Sequence, residues 1–206
     1  MRRTAILGVF CMLGVLALGS SGSALANKAS KASGHKLRAL ALAGNHRALR
    51  LLAAPGDTCA GVDDASAPAS AQEQAMECML NFARQEAGLP ALKDNRKLDN
   101  SSDAKASDIL RCDEFSHEAC GRDFTYWFRR TGYLGNRCWW AGENLAWGTG
   151  SLGTVRSIVK AWLHSPPHRA NLLGSEFGDF GIALRVGDVG GVSNAHLWVN
   201  QFGRHC

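Results

Sequence analysis

Apolar residues recur along this chain at two different periods. From Met76, the positions Met79, Leu80, Ala83 and Ala87 keep one apolar stripe on a helix. Ser70-Ala-Gln-Glu73 precedes the stripe as a capping box, and Gly88 and Pro90 close it. The pattern predicts a second helix from about Asp99 to Leu110. A short third helix follows, with Asp123 as N-cap, Phe124, Trp127 and Phe128 inward, and Gly132 as its stop. A fourth runs from Thr154 to about Leu163, with Val155, Ile158, Val159 and Trp162 on one side, until Pro166 and Pro167 end it. The period then shortens. Phe180–Val186 and His196–Phe202 flank the glycine-rich stretch 187–191 and predict an antiparallel hairpin. Helices first and strands last indicate an α+β fold.

The N-terminal region has a different pattern. Arg2 and Arg3 precede the 14-residue apolar run Ala5–Leu18, and small residues lead to Ala24-Leu25-Ala26. This is the order of a secretory signal peptide over residues 1–26, and the run is shorter than the roughly 20 residues that span a bilayer. No later run is long enough to cross, so no transmembrane segment is expected after cleavage. Residues 27–69 read as a basic leader and flexible linker. Leucines at helical spacing in 37–53 allow a short amphipathic helix interrupted by Gly44 and Asn45, and 60–70 is rich in Gly, Asp, Ala, Ser and Pro. The globular domain is expected over 70–206, with Cys59 tethered to it.

Export changes the meaning of the cysteines. Cys11 leaves with the signal. Cys59, Cys78, Cys112, Cys120, Cys138 and Cys206 remain, an even number suited to three disulfides in an oxidising compartment. Six cysteines allow 15 pairings. Nearness along the chain suggests Cys59–Cys78 and Cys112–Cys120, which leaves Cys138 with Cys206. The absence of any C-x2-C pair weakens a zinc-cluster reading.

The net charge of +5 is unevenly spread. Residues 27–52 hold six Lys/Arg and no acid, whereas 53–206 hold 15 Lys/Arg against 18 Asp/Glu, a net of −3. A mildly acidic domain argues against nucleic-acid binding. The leader reads as a solvated spacer or propeptide, or as a segment that touches an anionic envelope surface.

Three segments hold candidate chemistry: Glu114–His117, Ala141–Gly148 and Trp162–Leu173. Each offers a lone-pair donor, namely His117, Glu143 and His168. Two imidazoles and a carboxylate suit a zinc site or an acid/base pair. Glu143 is equally readable as a carboxylate that accepts backbone N–H groups in a tight Gly142-Glu143-Asn144 turn. Arg169 and Asn171 read as residues that satisfy loop carbonyls and cap the next turn. Ser116 and Ser165 lie in no nucleophile elbow. Trp139, Trp140 and Trp147 read as core or rim.

Several short motifs, taken in order, carry a family resemblance. They are Asn81–Leu92, Phe115-Ser116-His117, Gly132-Tyr133, Gly142–Ala146, Trp162–Leu173 with Ser165-Pro166-x-His168-Arg169-x-Asn171, Phe177–Ala183, and Trp198–Gly203. From about Cys78 to Gly203 the chain resembles a bacterial member of the CAP superfamily, the SCP domain of cysteine-rich secretory proteins, antigen 5 and pathogenesis-related 1. The resemblance implies a three-layer α–β–α sandwich with a central antiparallel sheet. It implies a cavity lined by His117, Glu143 and His168, with a fourth place that His164 or Glu118 would fill. His117 and His168 are the expected metal ligands, for a divalent ion such as zinc, with no cofactor required. The resemblance also implies a secreted protein of the extracellular space or cell envelope, which binds a lipid, a sterol-like ligand or an envelope component. A non-enzymatic binding module is the favoured reading and a secreted metal-dependent hydrolase the alternative.

Overall fold

A computed structural model describes residues 25–136 and 138–206, with side chains from Ser33 onward. The apolar run read as a signal lies outside the described residues. Seven helices and four strands are described: α1 (Leu25–Leu42), α2 (His46–Leu52), α3 (Ala69–Glu86), β1 (Lys93–Asp94), α4 (Arg96–Cys112), α5 (Tyr126–Arg130), β2 (Trp139–Gly148), α6 (Val155–His164), α7 (Pro166–Leu172), β3 (Asp179–Val189) and β4 (Val192–His205). None of these helices is long and apolar enough to cross a membrane.

The sheet order is β1-β3-β4-β2. The three long strands are antiparallel, and the two-residue β1 pairs parallel to the start of β3. The sheet is therefore mixed at one corner and antiparallel elsewhere. Strand alternation splits its faces between two layers. Phe180, Ile182, Leu184, Trp198 and Phe202 pack with α3, α6 and α7. Ala183, Leu145, Leu197 and Val199 pack with Ala106 and Ile109 of α4. This is the expected α–β–α sandwich. Gly190 and Gly191, with φ of 57° and 78°, make the two-residue turn of the β3–β4 hairpin.

Both sheet edges are covered by side chains. Beyond Phe180, β3 has no strand partner on its outer side among the described residues, and its amides at Ile182 and Leu184 donate to Asp99 Oδ1 (3.1 Å) and Glu73 Oε1 (2.9 Å). On β2 the outward carbonyls of Glu143 and Leu145 accept from Asn171 Nδ2 and Trp162 Nε1 (3.3 Å each). Such covering blocks the strand addition that bare edges invite.

Several local expectations change. Ser70 and Glu73 form no capping box. Helix α3 already begins at Ala69 after Pro68, with no side-chain cap, because Glu73 is drawn away to the β3 edge. Helix α4 begins at Arg96, where the Asn95 side chain accepts from Lys97 N. Thr125, not Asp123, precedes α5, and the Asp123 carboxylate instead accepts from the Thr125 amide and hydroxyl. Pro166 ends α6 but also opens α7, as a proline at the first helical position can. The segment 142–144 is strand, not turn.

The largest difference concerns the leader. Its leucine pattern is real, and Gly44-Asn45 is the turn between two helices, with Asn45 Oδ1 accepting from Ala48 N at 3.0 Å. Ala41, Ala48, Leu49 and Leu52 are all buried against the α3–α6–α7 layer. Gly34 sits against Gly88, where a Cβ would lie 2.6 Å from a backbone nitrogen, so only glycine allows this approach. The stretch 60–70 is also tied down. Arg156 Nε pairs with Asp63 at 2.8 Å, Gln72 Nε2 donates to the carbonyls of Ala65 and Ala67, and the His196 ring meets Ala65 O at 3.0 Å. The spacer reading missed this because tertiary burial, not local composition, orders the segment.

The three disulfides are Cys59–Cys78, Cys112–Cys120 and Cys138–Cys206. They match the pairs suggested by nearness along the chain and by what remained.

Close packing of α4 on β3 supplies a first prediction. A Cβ at Gly181 would lie 2.2 Å from Leu98 C and 2.3 Å from Asp99 N, both backbone atoms. Gly181→Ala should destabilise the protein by about 2 kcal/mol, read as a lower urea midpoint with unchanged slope. An unaltered midpoint would show that α4 can lift off the sheet freely.

Candidate functional site and its relatives

Glu143 and Gln201 are direct cross-strand partners on β2 and β4. Two-residue alternation from Leu145 and Val199 puts both side chains on the α4 face. There Gln201 Nε2 donates to Glu143 Oε2 at 2.8 Å, and the His117 Nδ1 lies 2.8 Å from Glu143 Oε1. Glu143 is almost wholly buried, while His117 keeps about a quarter of its side chain exposed. Because the Glu143 carboxylate oxygens accept, His117 donates to Oε1 through an Nδ1 proton.

The His117 loop is held from below. Lys105 of α4 is buried and its ammonium donates to the His117 carbonyl. Burial pulls the Lys105 pKa below the usual lysine range, and the neighbouring carboxylates, Glu143 first, push it back up. Ser116 Oγ accepts from Glu118 N at 3.0 Å, a local loop contact rather than a nucleophile's setting.

His168 approaches from the other layer. It lies on α7, and its carbonyl accepts from Asn144 Nδ2 at 3.1 Å, while Asn171 Nδ2 donates to Asn144 Oδ1 at 2.9 Å. Asn171 thus fixes α7 along the β2 edge. Arg169 fixes the other side, donating to the carbonyls of Leu163 (2.7 Å) and Leu42 (3.3 Å). His168 is completely buried, and neither ring nitrogen has a hydrogen-bond partner among the described residues. Burial, and then the charge of His117, press its pKa down to about 4. It is therefore neutral at neutral pH, with one N–H and one lone pair unengaged.

The structure thus joins His117 to Glu143 and brings His168 close enough to feel His117. The fourth candidates do not join them. Glu118 is exposed, and His164 is exposed with its Nδ1 at 2.8 Å from Lys160 O. Gln201 takes the position beside Glu143 instead. Sequence reasoning missed Gln201 and Lys105, although a polar residue on the inward face of a buried strand or helix is itself a signal. Lys105 falls seven residues after Leu98 and four before Ile109, on the buried stripe of α4.

The donor set is short of a resident zinc centre. Both Glu143 oxygens are engaged, which leaves two imidazoles, whereas catalytic zinc takes three protein ligands. Among the described residues no group of three or more His, Cys, Asp or Glu is placed to hold a metal ion.

Residues 77–202 match the sequence profile of the cysteine-rich secretory protein family, CAP. The chain belongs to this family. The three candidate residues His117, Glu143 and His168 fall inside the matched segment. The CAP chain is 31% identical over 139 residues to the protein YkwD of Bacillus subtilis, covering 66% of its own length and 49% of that relative. It therefore spans about half the length of that curated relative. Among solved structures, it resembles an extracellular SCP-domain protein of Bacillus anthracis (TM-score 0.54, 23% identity, 66% of this chain and 41% of that one). It also resembles an outer surface protein of Borrelia burgdorferi (TM-score 0.53, 19% identity, 64% of this chain and 90% of that one). These two likenesses concern the fold.

Proposed function

We propose that this CAP protein is an exported binding module that holds a hydroxyl-bearing amphipathic ligand, lipid or sterol-like, between His117 and His168. The observation that carries the reading is the buried His168 ring with two unpartnered nitrogens. A buried polar group without a partner is destabilising by about 1–3 kcal/mol. A ligand hydroxyl both donates and accepts, so it suits a neutral imidazole. Half-buried Phe115 and Trp147 pack beside Leu145, on the face of β2 that carries Glu143, and offer apolar surface for the rest of the molecule. Glu143 and Gln201 would act by orienting His117, and Lys105 by holding its loop. Export is supported by the N-terminal signal pattern, by three disulfides, and by relatives described as extracellular or outer surface proteins.

The test is equilibrium binding of cholesterol and of monooleoylglycerol, each presented from cyclodextrin. Wild type should bind at least one of them, and His168→Phe and His117→Ala should each weaken that binding about tenfold or more. Equal affinity in all three proteins would overturn the reading. Calorimetric titration with zinc chloride separates the metal alternative, since heat that vanishes in the double variant would assign the two imidazoles to a metal instead.

A further inference from the structure

Four helices on one side of the molecule, α1, α2, α6 and α7, carry no acid of their own, and Asp63 nearby is already paired with Arg156. The outermost helices α1 and α2 lie beside one another over α3, α6 and α7. Neither residues 25–56 nor residues 144–175, which include α6 and α7, contain an Asp or Glu. Lys36, Arg47, Arg50 and Lys160 are exposed there, and none enters an ion pair among the described residues. Helices α2 and α6 meet at this surface, where the His46 and His164 ring centroids are 6.1 Å apart. These helices thus present cations with no carboxylate of their own, and all 18 Asp and Glu lie in other segments of the chain.

The same surface exposes leucine. Helix α2 buries Ala48, Leu49 and Leu52 and turns Arg47, Arg50 and Leu51 outward. On α1, Lys36 and Leu40 are one turn apart and both exposed. Three of the six large apolar side chains exposed among the described residues, Leu40 (42%), Leu42 (40%) and Leu51 (53%), lie within these twelve positions. Cations interleaved with leucines on helices lying flat form the pattern of an interfacial surface. A hydrated polyanion would reward the cations and not the leucines.

We infer that the α1–α2 face, with Lys160 of α6, docks the protein on a bilayer of anionic lipids. Lys36, Arg47, Arg50 and Lys160 meet the headgroups, and Leu40 and Leu51 enter the headgroup–acyl boundary. Each cation close to an anionic surface adds to the attraction, and salt weakens it.

Vesicle co-sedimentation tests this. A chain starting at Asn27 keeps every core residue among those whose burial is described and is the form used. Wild type should partition onto phosphatidylglycerol–phosphatidylcholine vesicles at least about tenfold more than onto phosphatidylcholine alone, and 0.5 M salt (on the order of a 4 Å screening length) should release it. The quadruple variant Lys36→Gln, Arg47→Gln, Arg50→Gln, Lys160→Gln should lose the preference. Leu40→Ser with Leu51→Ser should weaken binding without abolishing the salt dependence. All six positions are exposed, and each variant is first checked for folding by circular dichroism. Equal partitioning onto both vesicles, or an unchanged quadruple variant, would overturn the inference. Tight binding to soluble polyglutamate that the leucine variant retains in full would also overturn it, in favour of a hydrated polymer.

Discussion

Replacing Arg84 with alanine is expected to lower the unfolding free energy by about 3–5 kcal/mol, among the largest effects of any single change in this protein. Arg84 lies on α3 and is fully buried. Its guanidinium donates to four carbonyls: Pro90 (3.0 Å), Leu172 and Gly174 (2.9 Å each) and Phe177 (3.3 Å). These acceptors belong to the turn after α3 and to the chain that leaves α7 for β3. A planar fork with five N–H groups can serve all of them at once, and an ammonium cannot. Truncation would strand carbonyls in the core at about 1 kcal/mol or more each. Burial, helped by the charge of Arg38, pulls the Arg84 pKa down to about 10, so it stays charged at neutral pH. Arg84→Lys should recover only part of the loss. Urea unfolding monitored by tryptophan fluorescence measures both variants, and a loss below about 1 kcal/mol would show that water replaces the fork. Because the same carbonyls anchor the end of α7, Arg84→Ala should also loosen His168.

Acidification from about pH 6.5 to 4 should cost wild type about 3 kcal/mol relative to a His168→Phe variant. The folded His168 has a pKa of about 4 against an ordinary value of 6.5. The unfolded chain therefore takes up the proton first, and folding stability falls as protons are added through this window. The contribution is fully present above pH 6.5 and is lost as pH drops through the folded value. The magnitude follows from 1.36 kcal/mol per pH unit for a wholly buried ring. Asp99 acts in the opposite sense. Burial, with the nearby Asp94 and Glu73 charges, raises it to about 6 from an ordinary 3.8. Its contribution is present below the ordinary value and lost as pH rises through 6. Wild type alone would show a shallow profile in which the two partly cancel. The decisive measurement is the difference between profiles, taken by chemical denaturation at several pH values. The His168→Phe difference should open toward acid and the Asp99→Asn difference toward neutral pH. A flat His168 difference would mean that a water or a bound group already satisfies the ring, which bears directly on the ligand reading.

The two titrations differ in origin. His168 is depressed because it is sealed between α7 and the β2 edge. Asp99 is raised because it is half-buried at the opposite edge, where it caps the Ile182 amide. The β3 edge is thus closed by two carboxylates that burial raises, Asp99 to about 6 and Glu73 above its ordinary value.

Much of this was legible in the residues themselves. The stripe Met76–Ala87, the Thr154-capped α6 and the glycine turn of the hairpin follow from local periodicity and local backbone preference. Such features need only neighbours within a few residues, so the sequence displays them. The order of motifs also led to the CAP family and to His117, Glu143 and His168. Tertiary structure decided the rest. Whether Glu73 caps its own helix or the β3 edge depends on a strand 111 residues away. Gln201 becomes the partner of Glu143 only through the β2–β4 register, since a one-residue slip would turn it to the opposite face. The basic leader becomes two core helices because Gly34 meets Gly88 and Ala41, Ala48, Leu49 and Leu52 find a surface to cover. Local pattern is short-ranged, whereas burial, edge capping and the environment that neutralises His168 depend on residues brought together from distant parts of the chain.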